Sequence, residues 1–187
     1  MGTSFLLFGY FFFCDFFIGV AGSSTRFDVI PDVFGWILLF VGCIFASRFS
    51  QKLNVAKYIA VVMLLPSLFS LLHGIGVYRL FYADFFFARI YPFFETLFKL
   101  LFHYYLLFGL RDVAEECGDQ KALAVRLKGN FFMTLFCFFW IFAARVAYQI
   151  APQMQGYCAL IVAFSNMVYL IINALTIFKV YREITVE

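Results

Sequence analysis

The sequence has few charged residues, few histidines and no cysteine spacing typical of a metal site. Of its 187 residues 13% are charged, against about 25% in an average soluble domain, and two are histidine. No basic patch of the kind that a nucleic-acid-binding module needs is visible, so we expect no nucleic-acid partner. The five cysteines lie apart without a C-x-x-C pair. We therefore expect neither a metal nor a cofactor.

Sequence motifs of enzymes are also missing. No nucleophile elbow, zinc-protease motif, P-loop or dinucleotide fingerprint occurs in the sequence. The adjacent Glu115 and Glu116 resemble the acid pair of prenyl-processing intramembrane proteases. However, they fall in a predicted loop, and no matching arginine follows them. We expect no catalytic residues, and an intramembrane enzyme stays the minority alternative.

Apolar residues dominate the chain, at 65% of the sequence with 30 phenylalanines. A bilayer core about 30 Å thick needs roughly 17–25 apolar residues per helix. Strand-like alternation is absent, so we predict an all-α polytopic transmembrane bundle that forms a single integral membrane domain over residues 1–187. The first apolar run is interrupted by Asp15 and lacks a basic lead, which favours a retained helix over a signal peptide. The predicted spans are 5–21, 33–50, 58–77, 92–110, 131–151 and 157–178.

Lysine and arginine residues are unevenly divided between the two sides of this topology. Nine of the 14 lie in the segments 48–57 and 111–130 and in the tail after the last span. The positive-inside rule therefore predicts cytoplasmic N- and C-termini in the cell membrane, with the lipid bilayer as the principal partner. Segment 79–91 is predicted to be an interfacial helix. Segment 111–130 is predicted to extend the fourth span, break near Gly118 and form a short basic helix ending at Gly129.

Several polar side chains fall inside the predicted spans, where they are costly and therefore functional candidates. Glu95, Lys99 and His103 recur every four residues, so they share one helix face. From the helical rise, five ionisable residues are expected within about 11 Å of the outer surface, with His103 deeper. The five are Asp15, His73, Glu95, Lys99 and Arg145. Two interpretations stay open: an ion-pair network that holds the helices together, or an outward-facing polar pocket for a small solute or ion. The candidate residues are Asp15, Asp28, His73, Glu95, Lys99, His103, Arg145, Gln149 and Asn166.

Small residues recur at helical spacing and predict close helix contacts. The positions are Gly42 with Ala46, and Ala143, Ala147 and Ala151. The alanine stripe would face another span, a partner protein or a second copy of the chain. We therefore keep two main functional hypotheses. The protein binds or transports an unidentified small solute through the polar cluster, or it is a structural or regulatory membrane subunit that docks a partner.

The stretch "RFDVIPDVFGWILLFVG" at residues 26–42 carries a proline-punctuated acidic pair. Pro31 and Asp32 suit the first turn of a helix, which leaves Asp28 as the acid available to the polar cluster. Residues 9–45 resemble a group of small multi-pass membrane proteins of Gram-positive bacteria with a D-x-L-P-D-F-I-G-Y-like segment. The matching positions are Asp15, Asp28, Pro31, Asp32, Gly35 and Trp36.

This resemblance implies a multi-pass topology and no particular activity. A second resemblance is one of layout alone. Substrate-binding subunits of energy-coupling-factor vitamin transporters are also six-helix proteins of about this length with an outward-facing site, but none of their motifs is matched.

Overall fold

The structure is a computed structural model that describes residues 2–13, 17–19, 26–28, 32–74, 90–116 and 121–184. These residues form six α-helices and one two-stranded ribbon, which confirms the predicted all-α bundle. The elements are α1 (Thr3–Phe11), β1 (Phe17–Gly19), β2 (Arg26–Asp28), α2 (Asp32–Ala46), α3 (Gln51–Gly74), α4 (Tyr91–Glu116), α5 (Lys121–Ile150) and α6 (Gln155–Glu183).

Four of the helices, α3 to α6, are long and apolar enough to cross a membrane. Helix α2 is apolar but has 15 residues, and α1 has 9. At 1.5 Å per residue these two helices reach only about 22 Å and about 14 Å, less than the hydrocarbon thickness of about 30 Å. The described residues therefore have the architecture of a polytopic membrane bundle, and two of their six helices are short.

Two predicted elements differ in kind from the structure. The first span was predicted over 5–21, but α1 ends at Phe11, and Phe17–Gly19 pair antiparallel with Arg26–Asp28 as a strand. The span was predicted from hydropathy, which measures apolar content only. Aromatic and β-branched residues are apolar enough for a span but are also common in strands, so hydropathy does not separate the two. The predicted separate helix ending at Gly129 is also wrong, because α5 runs unbroken through that position. Asp15, Gly118 and segment 79–89 lie outside the described residues.

The six helices form a closed ring. Each packs on its neighbour in sequence, and α1 closes the ring against α6. Successive helices alternate in direction, so the start of α2, α4 and α6 and the end of α1, α3 and α5 share one end of the bundle. The β1–β2 ribbon joins α1 to α2 at this end, which we call the hairpin end.

Helices α1 and α2 lie unusually close because glycines face each other. A Cβ added at Gly35 would lie 3.0 Å from the carbonyl oxygen of Gly9, and one at Gly42 would lie 3.0 Å from that of Gly2. Both helices thus carry glycines seven residues apart in matching antiparallel register. Small residues of this kind let backbones approach where lipid supplies no hydrophobic drive for helix association.

The remaining predicted packing positions are buried to different degrees. Ala46 is fully buried in the core with Trp36, whose ring lies 5.2 Å from that of Phe102 on α4. The alanine stripe on α5 is half-buried, whereas its neighbour Ala144 is buried. The stripe consists of Ala143, Ala147 and Ala151.

Candidate functional site

Four charged side chains of alternating sign form a row near the hairpin end. Asp32 Oδ2 lies 3.5 Å from Lys99 Nζ, which lies 2.6 Å from Glu95 Oε1. Glu95 Oε2 in turn lies 3.5 Å from Arg145 Nη2. The row connects α2, α4 and α5, and its side chains are only 14–25% exposed. We call these four residues the charge row.

Local sequence explains how each member of the charge row is placed. Glu95 and Lys99 are one turn apart on α4, the spacing at which opposite charges meet on a helix surface. Asp32 is in the first turn of α2, where the helix dipole favours an acid. Arg145 lies near the end of antiparallel α5. Its Nη1 donates a hydrogen bond to Thr96, whose hydroxyl donates to the Pro92 carbonyl oxygen at 2.7 Å.

The charge row is neutral overall, but the distances between its neighbouring charges differ. Its central pair, Glu95 and Lys99, is in tight contact at 2.6 Å, whereas both outer contacts are 3.5 Å. Neutrality matters because a buried charge without a counter-charge costs several kcal/mol. The two longer contacts are those of the terminal members, Asp32 and Arg145.

Arg145 also lines a groove of about 390 Å³ between α5 and α6 at the hairpin end. Ligand pockets typically measure about 300–1,000 Å³, so a small solute fits this space. Alanines leave the room, while an arginine, two amides and a tyrosine supply polar groups. We call this groove the vestibule; its lining residues are Ala144, Arg145, Tyr148, Gln155, Cys158, Ala159, Val162, Ala163 and Asn166.

Two other grooves provide a contrast. One of about 460 Å³ lies between α5 and α6 around Trp140 and Leu160, and one of about 410 Å³ lies between α4 and α5 around Leu97 and Phe139. Both are lined almost wholly by apolar side chains, as expected for surfaces that contact acyl chains. The vestibule differs from them because it combines a cation with neutral hydrogen-bonding groups.

His103 lies one turn below Lys99 on α4 and is fully buried. Its Nδ1 contacts the backbone carbonyl oxygen of Lys99, which assigns the ring proton to that nitrogen. The imidazole is surrounded by aromatic rings, with centroids 5.6 Å away for Tyr10, 5.8 Å for Phe138 and 5.3 Å for Tyr169. His103 is thus a packed core residue beneath the charge row.

Buried polar pairs continue from His103 toward the opposite end of the bundle. The Asn173 amide donates to Thr134 Oγ1 at 2.9 Å and to the Tyr169 carbonyl oxygen at 2.8 Å. One turn further, Asn130 donates to Thr176. Some buried polar atoms in this region have no hydrogen-bond partner among the described residues. These atoms are Tyr10 Oη, Trp36 Nε1, His103 Nε2 and Asn173 Oδ1.

The structure brings part of the predicted cluster together. Glu95, Lys99 and Arg145 meet in the charge row, and Asn166 lines the vestibule beside Arg145. Gln149 is exposed near the end of α5. The remaining candidates are not placed at the site. Asp15 and the side chains of Asp28 and His73 lie outside the described part of the chain. The backbone of Asp28 pairs with Phe17 in the ribbon.

Sequence reasoning missed one member of the charge row. Asp32 was assigned wholly to helix initiation, yet it both begins α2 and approaches Lys99. Thr96 was missed as well, although its position one residue after Glu95 turns its hydroxyl toward Arg145. The described residues contain no group of three or more His, Cys, Asp or Glu side chains placed to hold a metal ion.

Comparison with known proteins adds no relative. No protein-family model matches the chain, and neither curated sequences nor solved structures give a significant match. The resemblance over residues 9–45 therefore stays a prediction.

Proposed function

We propose that this protein is an integral membrane protein that binds a small polar solute in the vestibule, beside the charge row. The vestibule carries the proposal, because a cation, two amides and a tyrosine surround a space of about 390 Å³, whereas the other two grooves are lined almost wholly by apolar side chains. Polar groups inside a membrane bundle are costly, and where they occur they commonly form a ligand site or an ion pathway.

The arrangement of charges supports binding rather than pairing alone. A row built only to hold helices together gains most when every contact is short. Here the contact of Arg145 with Glu95 is long, and Arg145 belongs to the lining of the vestibule as well as to the charge row. A bound solute would therefore reach the charge row through Arg145.

We propose a location in the cell membrane, with the hairpin end facing outward. Exposed basic side chains at the opposite end support this orientation under the positive-inside rule. They include Arg48, Lys121, Arg126, Lys128 and Arg182. The vestibule would then receive its solute from the external phase.

Thermal stabilisation by solutes tests the proposal. The purified protein in detergent is screened with amino acids, sugars, nucleosides and inorganic anions at millimolar concentration. A solute at ten times its dissociation constant raises the unfolding midpoint by about 3–6 °C for a protein of this size. We expect at least one solute class to do so, and a screen with no response contradicts the proposal.

A matched pair of variants locates the response. Ala163→Phe fills the vestibule from an exposed position and is expected to abolish the midpoint rise. Leu160→Phe places the same aromatic ring on the apolar groove of the same helix, at a residue that is 69% exposed, and is expected to keep the midpoint rise. An equal response in both variants contradicts binding in the vestibule.

A second candidate is a structural or regulatory membrane subunit, and the neutrality of the charge row favours it. In that case the row only fastens α2, α4 and α5 together. This candidate predicts co-purification with a defined partner after mild solubilisation and no response to any solute. A solute-dependent rise of the midpoint that Ala163→Phe removes contradicts it.

A further inference from the structure

We infer that the solute carries an anionic group, a carboxylate or a phosphate, and that Arg145 binds it in the vestibule. The inference rests on the proposed function and adds the chemical class of the ligand. An arginine has five N–H donors in a planar fork that fits carboxylate and phosphate oxygens. The bonds to Thr96 and Glu95 use two of them.

The charge around Arg145 favours an anion. Glu95 is shared between Lys99 at 2.6 Å and Arg145 at 3.5 Å, so most of its charge is compensated within α4 itself. Of the nine residues that line the vestibule in the described part of the chain, Arg145 is the one that is charged. An anion entering this space would therefore meet a cation on one wall and no acidic side chain in the lining.

Neutral hydrogen-bonding groups complete the site. The amides of Gln155 and Asn166 and the hydroxyl of Tyr148 belong to the same lining, and each can donate to an anionic oxygen. The alanines between them, Ala159 and Ala163, keep the approach to Arg145 open. A charged side chain with neutral donors around a small space is the usual composition of a site that fixes one charged group of a ligand.

The anionic group has two possible sources, a free solute and the headgroup of an anionic lipid. Arg145 is near the end of α5, and a long basic side chain near the end of a membrane helix can reach the lipid phosphates. The experiment therefore has two arms. In detergent without phospholipid, sodium phosphate and sodium acetate are compared with sodium chloride at equal ionic strength. In nanodiscs, phosphatidylglycerol is compared with phosphatidylcholine. The readout in both arms is the unfolding midpoint.

We expect phosphate, acetate or phosphatidylglycerol to raise the midpoint by about 3–6 °C at ten times the dissociation constant. A response in detergent identifies a free anion as ligand, and a response confined to nanodiscs identifies a lipid headgroup. Arg126→Gln removes an equal charge from the exposed surface of the same helix and should keep the response. Arg145→Lys should weaken it at least tenfold in affinity, because lysine lacks the planar fork.

Arg145→Gln alone removes one of the two cations that contact Glu95 and could destabilise the fold. The double variant Glu95→Gln/Arg145→Gln avoids this problem because it removes the carboxylate as well. This variant keeps the row neutral through Asp32 and Lys99 and should lose the anion response. The inference is overturned if the double variant responds as the wild type does, or if no anion source shifts the wild type. When neutral solutes still stabilise the wild type and not Ala163→Phe, only the anion inference fails. When neither a solute of any class nor phosphatidylglycerol stabilises the wild type, the proposed function fails with it.

Discussion

Lys99 Nζ lies 2.6 Å from Glu95 Oε1 and 3.5 Å from Asp32 Oδ2, so one ammonium group connects the first turn of α2 to α4. Glu95 extends the connection to Arg145 on α5. This relationship makes the hairpin end of the bundle depend on charge balance across three helices. It also leaves Arg145, the last member, at the wall of the vestibule.

Charge balance in this row predicts a rescue. Glu95→Gln removes the carboxylate that contacts both Lys99 and Arg145, and we expect a loss of on the order of 3 kcal/mol in unfolding free energy. Glu95→Gln/Arg145→Gln removes one charge of each sign and should recover at least half of that loss. Denaturation of both variants in the same detergent provides the measurement. A double variant less stable than the single one would mean that Arg145 stabilises the fold without Glu95.

His103 is expected to act as a packing residue. His103→Ala leaves a cavity among the rings of Tyr10, Phe102, Phe138 and Tyr169 and should cost roughly 3 kcal/mol of unfolding free energy. His103→Phe keeps a ring of similar shape and removes the buried Nε2, so its cost should be about 1 kcal/mol or less. Both values come from denaturant unfolding. The solute response should survive His103→Phe, and its selective loss in a stably folded variant would place His103 in the binding site instead.

Gly35 tests the packing of α1 on α2, and Gly129 on α5 is its control because no neighbour is close to it. A Cβ at Gly35 would lie 2.8 Å from the Phe13 ring and 3.0 Å from the Gly9 carbonyl oxygen, so Gly35→Ala should destabilise the fold by about 1–3 kcal/mol. Gly129 has nothing within 4 Å of such a Cβ and lies inside α5, so Gly129→Ala should stabilise by up to about 1 kcal/mol. Unfolding midpoints check both signs. Equal effects at the two positions would contradict the close approach of α1 and α2.

Much of the helical layout was predictable from the sequence, because long apolar runs have few alternatives in a bilayer. The meeting of Glu95, Lys99 and Arg145 was predictable too, since alternating helix direction places all three near the same end. The spacing of four residues places Glu95 next to Lys99 on α4, whichever helices are neighbours in the bundle. This part of the site therefore follows from the one-dimensional pattern.

The rest depends on which helices are neighbours, and a single sequence does not encode that visibly. Asp32 reads as an ordinary helix start, and its approach to Lys99 appears only when α2 faces α4. The vestibule likewise exists because Ala163 and Arg145 lie on helices that pack side by side. The ribbon was missed because Phe17–Gly19 is as apolar as a span and differs from one only in its backbone pairing.

Access of water to the vestibule tests the central claim most directly. The five native cysteines are replaced, and Ala163→Cys or Leu160→Cys is introduced as the single thiol. Intact membranes are then treated with a charged, membrane-impermeant thiol reagent. We expect Ala163→Cys in the vestibule to react at least ten times faster than Leu160→Cys on the apolar groove, and stabilising solutes to slow it. Equal rates, or unreactive Ala163→Cys, would contradict a solvent-filled binding site between α5 and α6.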